Sequence, residues 1–172
     1  MTGSPRWNAP VLLDGKHHQR GLFSCGNTEL DDWIKKYATQ SQAAGTARVF
    51  VATPVEDDSV IAGFYSLHLG ALERSKGSRT AAHRAPDPIP AVVMGRLAID
   101  AKFGGQGLGR ALLRDALART LLIAANAGAK IFLVHAKDET AKNFYVHHEF
   151  EPSPVDELTL MLLVQDIPGA SL

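Results

Sequence analysis

The segment from Gly104 to Gly109 holds four glycines and is the part of the chain whose residue types most clearly indicate chemistry. Apolar and β-branched residues precede it, which predicts a strand, and a helix-favouring run follows it at once. A glycine loop that opens a helix directs several backbone N–H groups toward one point, where the helix dipole also favours negative charge. We therefore expect this loop to bind a pyrophosphate.

Two common phosphate-binding loops do not fit the spacing. A P-loop ends in Gly-Lys followed by Ser or Thr, because the lysine and the hydroxyl reach phosphate and magnesium. Here Gly109 is followed by Arg110 and Ala111. A dinucleotide-binding fold needs Gly-x-Gly-x-x-Gly and an acidic residue about 20 positions further on. After Gly105 and Gly107, its third glycine position holds Arg110, so that fold is not indicated.

Gly107 and Gly109 resemble the two small positions of the coenzyme A loop of the GCN5-related N-acetyltransferases (GNAT), Gln/Arg-x-x-Gly-x-Gly/Ala. The first, polar position of that pattern is Gly104 here, a departure that removes a side chain but no backbone N–H group. The resemblance implies an N-acetyltransferase with acetyl-coenzyme A as the acetyl donor. It implies cofactor contacts from a strand end, the loop, the first helical turn and a later helix, namely Leu97, Ala98, Ile99, Gly104, Gly105, Gln106, Gly107, Leu108, Gly109, Arg110 and Asn143.

A second segment, residues 138–150, begins with Asp138, which is well placed to cap a helix. Within it, Asn143 and Tyr145 resemble the Ala/Asn-x-x-Phe-Tyr-x-x-x-Gly-Phe element of the same acetyltransferases. The resemblance implies that Tyr145 is catalytic, with its hydroxyl near the thioester sulfur, where it protonates the leaving thiolate. The glycine of that element is Glu149 here, so we expect a less regular turn after the helix.

Further motifs make the resemblance closer and extend it over residues 22–163. The chain is similar to the acetyltransferase toxins of bacterial type II toxin–antitoxin systems at residues 23–26, 30–34, 45–51, 63–67, 88–90, 96–100, 134–136 and 141–145. This resemblance implies acetylation of the α-amino group of aminoacyl-tRNA, which blocks translation. It also implies a DNA-binding antitoxin of the ribbon-helix-helix class as a partner, and a homodimer.

The distribution of charge suits a nucleic-acid substrate better than the total charge does. The chain has 18 basic and 18 acidic residues, so it is not a generally basic binder. Residues 70–114 nevertheless hold eight basic and three acidic residues, a local net charge of +5. A positive segment beside the cofactor loop could bind a phosphate backbone, although it could equally be a solvated loop. The candidate tRNA-binding residues are Arg79, Arg84, Arg96, Lys35 and Lys36.

Composition is that of an ordinary globular enzyme. Of 172 residues, 45% are hydrophobic and 21% charged, enough for one domain with a core. The single cysteine, Cys25, excludes an internal disulfide framework. We find no signal peptide or membrane-spanning stretch and expect a cytoplasmic protein. The histidine pairs at 17–18 and 147–148 lack metal-ligand spacing, so no metal is expected.

The elements that must position these residues predict an α/β fold, and the resemblance implies the GNAT form of it, a mixed twisted sheet flanked by helices. We expect helices over 26–44, from Leu108 to Gly128 and near 138–148, and strands at 48–53, 60–70, 92–99, 130–135 and 157–164. The first helix should carry an apolar stripe of Leu30, Trp33, Ile34 and Tyr37, with Trp33 in the core, and either Asn27 or Thr28 could cap it. Residues 71–90 show no period and are expected to form a long mobile loop. We expect a poorly ordered extension over 1–20, an acetyltransferase domain over 21–165 and a short tail over 166–172.

Two alternative functions stay open at this point. The chain could acetylate another amine, such as a polyamine, an antibiotic or a protein N-terminus, although the basic segment 71–90 disfavours a polycationic substrate. It could also be a non-catalytic module that binds acyl-coenzyme A. Tyr145 disfavours this second alternative only weakly.

Overall fold

The computed structural model describes residues 6–170. Seven strands form one mixed sheet in the order β1-β2-β3-β4-β5-β7-β6. The strands are β1 Val11–Leu12, β2 Arg48–Ala52, β3 Gly63–Leu72, β4 Ile89–Ile99, β5 Ile131–His135, β6 Glu151–Pro152 and β7 Thr159–Leu163. The helices are α1 Thr28–Lys36, α2 Ala38–Ala43, α3 Arg79–Ala82, α4 Leu108–Ala124 and α5 Glu139–His147. The predicted α/β fold is confirmed.

The chain divides into two compact units. The first comprises the described residues up to Leu67 together with Arg96–Asp115, and the second comprises His68–Gly95 with the described residues from Ala116 onward. β3, β4 and α4 each run from one unit into the other.

In the first unit, β1, β2 and the start of β3 pair antiparallel, and apolar side chains of α1 pack on them. The side chain of Asn27 accepts a hydrogen bond from the Leu30 N–H and caps α1, so Asn27 rather than Thr28 is the cap. Trp33 and Ile34 are buried, whereas Tyr37, expected on the same apolar stripe, is 53% exposed because α1 ends before it.

The second unit contains the rest of the sheet. β4 pairs parallel with β5, β5 pairs antiparallel with β7, and β7 pairs antiparallel with β6. Ile89, Ile131 and Met161 are among the buried residues of its core. No helix in residues 6–170 is long and apolar enough to span a membrane.

The expectation of a poorly ordered N-terminal extension is corrected from Arg6 onward; residues 1–5 lie outside the described part. Trp7 forms a β-bridge with Pro54, and the Asn8 N–H donates to the Thr53 carbonyl at 2.9 Å. β1 then pairs with β2, and Leu13 is only 3% exposed. The edge of β2 supplies these backbone partners, so a segment with few apolar residues still has fixed structure.

The expected long loop at residues 71–90 is also wrong. β3 continues to Leu72, a 3-10 helix spans Arg74–Lys76, α3 follows, and β4 begins at Ile89. The Ser78 side chain caps α3 by accepting a hydrogen bond from the Ala81 N–H. Leu72, Ala81 and Ile89 belong to the core of the second unit, and this burial fixes elements too short to show a sequence period.

Candidate active site

Asp100 fixes the end of β4 in the first unit. Its carboxylate is 4% exposed and accepts hydrogen bonds from the Ser24 N–H at 3.1 Å and the Lys102 N–H at 2.9 Å. Its own N–H donates to the Ala62 carbonyl at 2.9 Å. Sequence reasoning assigned no role to Asp100, although its place directly after a predicted strand was the available signal.

Residues 97–99 are the last three residues of β4. Ala98 is 5% exposed and belongs to the core of the first unit, whereas Leu97 and Ile99 are half-buried. A Cβ atom on Gly63 of the neighbouring strand would lie 3.1 Å from the Ala98 carbonyl oxygen. Glycine at position 63 therefore allows the two strands to approach closely beside the predicted site.

Two glycines in the loop after β4 adopt a backbone that favours glycine. Gly105 and Gly107 have φ angles of 72° and 83°, in the left-handed region. A Cβ atom at either position would meet no atom within 4 Å. Glycine is thus required here by backbone conformation, while the space beside it is open. Gly104 has a φ of −65° and ends the preceding 3-10 helix.

The first turn of α4 follows this loop. The Ala111 N–H donates to the Gly107 carbonyl at 3.2 Å, so the N–H groups of the residues before Ala111 in that turn have no acceptor within the helix. Leu108 is 2% exposed and anchors the helix start, while the Arg110 side chain is exposed. An exposed loop with free donors and an adjacent cation fits the pyrophosphate of coenzyme A.

Three interactions within the first unit hold neighbouring parts of this site. The Tyr65 hydroxyl donates to the Asp115 carboxylate, which ties β3 to α4. Near the loop, an Arg6 guanidinium N–H donates to the Gln106 side-chain oxygen at 3.2 Å, and the Trp7 ring lies edge-on to Phe103.

Arg96 lies on the ring of Trp33. The guanidinium carbon is 4.2 Å from the ring centre, and Trp33 in turn stacks on Phe64 with ring centres 6.0 Å apart. Burial lowers the pKa of Arg96, and the Glu29 carboxylate raises it to a smaller extent. The sequence predicted Trp33 as a core residue and Arg96 as a ligand-binding residue. It gave no signal that they meet, because they lie on different elements far apart in the chain.

Lys35 and Lys36, the other predicted tRNA-binding residues of this unit, lie at the end of α1. The Lys36 ammonium is 3.5 Å from the Asp32 carboxylate, in an exposed pair one helical turn apart. An exposed ion pair of this kind contributes little to the stability of the protein, but the carboxylate reduces the local positive charge. Lys35 is half-buried.

Tyr145, the predicted catalytic residue, lies on α5 in the second unit. It is 7% exposed and contacts the rings of Phe144 and Phe150, with centre-to-centre distances of 5.2 and 5.3 Å. Burial raises the pKa of Tyr145 well above 10, because the phenolate would be poorly solvated. The hydroxyl therefore stays protonated further into the alkaline range than that of an exposed tyrosine.

The turn after α5 fixes the backbone at Tyr145. The Phe150 N–H donates to the Tyr145 carbonyl at 3.1 Å, and the Glu149 N–H donates to the Val146 carbonyl at 3.0 Å. With Glu149 at a φ of 71°, these bonds form a Schellman motif. The expected irregular turn is therefore wrong, because glutamate adopts the left-handed backbone that glycine would adopt.

The remaining predicted residues of the second unit are exposed: Asn143 on α5, Arg79 at the start of α3, and Arg84 after it. Neither arginine forms an ion pair with a residue of the described chain. The first unit thus contains the strand end, the glycine loop, Arg96 and the α1 lysines, and the second contains Asn143, Tyr145, Arg79 and Arg84. In residues 6–170, no three His, Cys, Asp or Glu side chains are arranged to hold a metal ion.

Comparison with known sequences gives a family and relatives. A family model described as an acetyltransferase (GNAT) domain matches residues 45–152. A tRNA-acetylating toxin of Mycobacterium tuberculosis is 41% identical over 144 residues, which cover 84% of this chain and 85% of the relative. A probable toxin TacT of Sinorhizobium fredii is 27% identical over 164 residues, which cover 90% of each chain.

Comparison with solved structures establishes the same fold. A tyrosine-to-phenylalanine mutant of KacT matches with a TM-score of 0.88 and 23% identity, covering 95% of this chain and 98% of that one. AtaT complexed with acetyl-methionyl-tRNAfMet matches with a TM-score of 0.85 and 24% identity, covering 94% and 96%. A mutant AtaT toxin bound to the C-terminus of the antitoxin AtaR and to acetyl-CoA matches with a TM-score of 0.80 and 23% identity, covering 95% and 96%.

Proposed function

Because this chain belongs to the GNAT acetyltransferase family, we propose that it is a toxin that transfers acetyl from acetyl-coenzyme A to the α-amino group of aminoacyl-tRNA. The observation that carries the proposal is the 41% identity to a tRNA-acetylating toxin over 84% of the chain. The acetylated amine no longer attacks peptidyl-tRNA, so translation stops.

The glycine loop is assigned the role of binding the pyrophosphate of the acetyl donor. The left-handed backbone at Gly105 and Gly107 and the free N–H groups of the first turn of α4 support this role. Arg110 adds a cation beside them. The backbone of residues 97–99 is assigned the role of polarising the thioester carbonyl as negative charge develops on its oxygen. Asn143 is assigned a contact with the pantetheine arm.

Tyr145 is assigned the proton transfer. The amine nitrogen bonds to the carbonyl carbon, the carbon–sulfur bond breaks, and Tyr145 donates its proton to the leaving thiolate. The proton lost by the amine passes to solvent, and the tyrosinate recovers one from there. No strong general base is needed, because the neighbouring ester lowers the basicity of the amine.

The proposed tRNA substrate and antitoxin partner are supported by the relatives. Arg79, Arg84, Arg96, Lys35 and Lys36 are proposed to contact tRNA. We also propose a catalytic domain over residues 21–165, a homodimer in the cytoplasm, and inhibition by a DNA-binding antitoxin of the ribbon-helix-helix class. The complexes of AtaT with charged tRNA and with the antitoxin AtaR support the tRNA and antitoxin assignments.

Acetyl transfer to total tRNA tests the proposal directly. Purified protein is incubated with radiolabelled acetyl-coenzyme A and either charged or deacylated tRNA. Label on charged tRNA alone is the expected result, since only charged tRNA carries the aminoacyl amine. Label on neither, in protein shown to bind coenzyme A, would exclude the tRNA substrate and favour a small amine.

A Tyr145→Phe variant tests the proton donor. We expect kcat to fall about 100-fold or more, the usual contribution of a positioned general acid, with coenzyme A affinity retained. The matched control is Tyr37→Phe, since Tyr37 is exposed and has no assigned role. A Tyr145→Phe enzyme with unchanged kcat would remove Tyr145 from the mechanism.

A further inference from the structure

Arg96 is a half-buried cation that forms no ion pair in the described chain, and the Glu29 carboxylate acts on it only from beyond ion-pair distance. Between residues 6 and 170, no carboxylate lies within ion-pair distance of its guanidinium, and no acceptor receives a hydrogen bond from it. Partial burial of a charge is unfavourable unless the charge is paired. The five N–H donors of the guanidinium are thus uncommitted in the protein itself, which points to a ligand that supplies the anion.

Trp33 holds this cation in one orientation. The indole is 8% exposed, and Phe64, which is fully buried, stacks on it with the ring planes 17° apart. Asn27 caps the helix that carries Trp33. A guanidinium lying on a fixed ring loses little conformational freedom when it binds a ligand, so the donors are oriented before the ligand arrives.

The position of Arg96 along β4 limits which ligand group it meets. It directly precedes residues 97–99, which are assigned the reacting carbonyl, and a strand advances about 3.3 Å per residue. In an aminoacyl ester of tRNA, the anionic group nearest the reacting amine is the last phosphodiester of the 3′ end. A planar, forked donor set matches a phosphate in particular.

We propose that Arg96, held on Trp33, is a specificity-determining residue that binds the last phosphodiester of the aminoacylated 3′ end. This inference rests on the proposed function and specifies it further. It gives Arg96 a different role from Arg79, Arg84 and the α1 lysines, which would add long-range attraction for the tRNA. Arg96 would instead recognise one phosphate beside the reacting amine, a group that a free amino acid or a polyamine lacks.

The test compares two charged tRNAs that differ in one linkage. One has a normal phosphodiester before the terminal nucleoside, and the other has a neutral methylphosphonate there, introduced by ligation. For the unmodified protein, we expect kcat/KM to be about tenfold or more higher with the phosphodiester, the usual effect of a charged hydrogen bond. In Arg96→Gln the ratio of the two kcat/KM values should fall close to one.

Two further variants distinguish binding from a structural role. Arg96→Lys retains the charge and should recover part of the ratio. Arg48→Gln, at an exposed arginine on β2 that hydrogen-bonds the Gln42 carbonyl, should leave the ratio as in the unmodified protein. Equal ratios in Arg96→Gln and the unmodified protein would overturn the inference, as would the same reduced ratio in Arg96→Gln and Arg96→Lys.

The proposed function and this inference fail in different ways. If the unmodified protein acetylates neither charged tRNA, the tRNA substrate itself is wrong. If it acetylates both with equal kcat/KM, the tRNA substrate stands and the phosphate contact is wrong. Thermal unfolding of each variant confirms that the comparison is made between folded proteins.

Discussion

At the scale of single residues, the burial of Tyr145 decides both its chemistry and its effect on stability. A buried phenol stays protonated at pH values where an exposed one has begun to ionise. For catalysis, this means that the alkaline limb of a pH–rate profile below pH 10 reports another group. The amine of the substrate must be neutral to attack, so its ionisation should instead appear as the acid limb of the profile.

The same burial predicts an alkaline loss of stability. The pKa of Tyr145 is raised in the folded state, whereas the unfolded chain has the ordinary value of 10.0. Above pH 10 the unfolded state therefore releases a proton that the folded state retains, and unfolding becomes more favourable by about 1.4 kcal/mol per pH unit. Below pH 10 this contribution to stability is fully present.

Chemical unfolding of the wild type and of Tyr145→Phe at pH 8 to 11 checks this expectation. The difference in unfolding free energy between the two proteins should be constant up to pH 10 and shift in favour of the variant above it. Parallel curves over the whole range would show that the Tyr145 hydroxyl ionises as freely in the folded protein as in the unfolded chain.

Ser66 is a second residue whose surroundings lead to a prediction. It is 1% exposed, and its hydroxyl oxygen is buried without a hydrogen-bond partner in the described chain. An unsatisfied buried hydroxyl costs about 1 kcal/mol or more. We expect Ser66→Ala to raise the unfolding free energy by about 1 kcal/mol, measured by urea denaturation. Ser78→Ala is the matched control and should lower it, since Ser78 caps α3.

The roles of single residues could be predicted from the sequence where the interaction is local. Asn27 and Asp138 cap α1 and α5 as their types and positions indicate. Trp33 is buried, as its place on an apolar stripe predicts. Its stacking with Arg96 was not predictable, because a contact between elements so distant in sequence depends on the packing of the whole unit.

At the scale of elements, the Schellman motif after α5 combines regular hydrogen bonding with an unfavourable residue. Glu149 has a φ of 71°, where side chains with a Cβ atom are strained. Its N–H and that of Phe150 nevertheless complete the motif, and the rings of Phe150 and Tyr145 pack together. The motif thus fixes Tyr145 through both its carbonyl and its ring.

We expect Glu149→Gly to raise the unfolding free energy by about 1 kcal/mol, since glycine adopts the left-handed backbone without strain. The control is Glu139→Gly, at the start of the same helix, which should lower it by a similar amount because glycine disfavours helical backbone. Thermal or urea unfolding of both variants measures the difference. A destabilised Glu149→Gly would indicate that the glutamate side chain makes an interaction worth more than the strain.

Elements were predictable from the sequence in proportion to their length. α4 and the long strands carry enough apolar residues to show a period, and the predicted helix from Leu108 matches the observed start of α4. The short elements within residues 71–90 and the two-residue strand β1 show no such period. Their structure is fixed by burial of single side chains and by pairing with the edge of β2, neither of which leaves a local pattern.

At the scale of the whole molecule, the neutral total charge makes the local distribution decisive for a polyanionic partner. Basic and acidic residues are equal in number, yet Arg79 and Arg84 are exposed and unpaired within the described chain. Lys36 and Lys76, by contrast, each lie near a carboxylate. Attraction to tRNA should therefore depend on a few free arginines.

The salt dependence of tRNA binding measures this attraction. Plotted as log affinity against log salt concentration, the slope should be a few units negative, and Arg79→Gln and Arg84→Gln should each reduce its magnitude by about one. Arg48→Gln, the control, should leave the slope unchanged. A slope that neither arginine variant alters would show that both side chains are merely solvated, the alternative that the sequence leaves open.

The first residues of the chain have a practical consequence for work on this protein. Arg6 and Trp7 contact Gln106 and Phe103, so this pair of residues is joined to the loop assigned to the cofactor. We expect an affinity tag or fluorescent fusion placed upstream of Arg6 to alter the measured cofactor affinity. Recombinant protein for enzymology should therefore carry its purification tag at the opposite terminus, or lose it by cleavage before any assay.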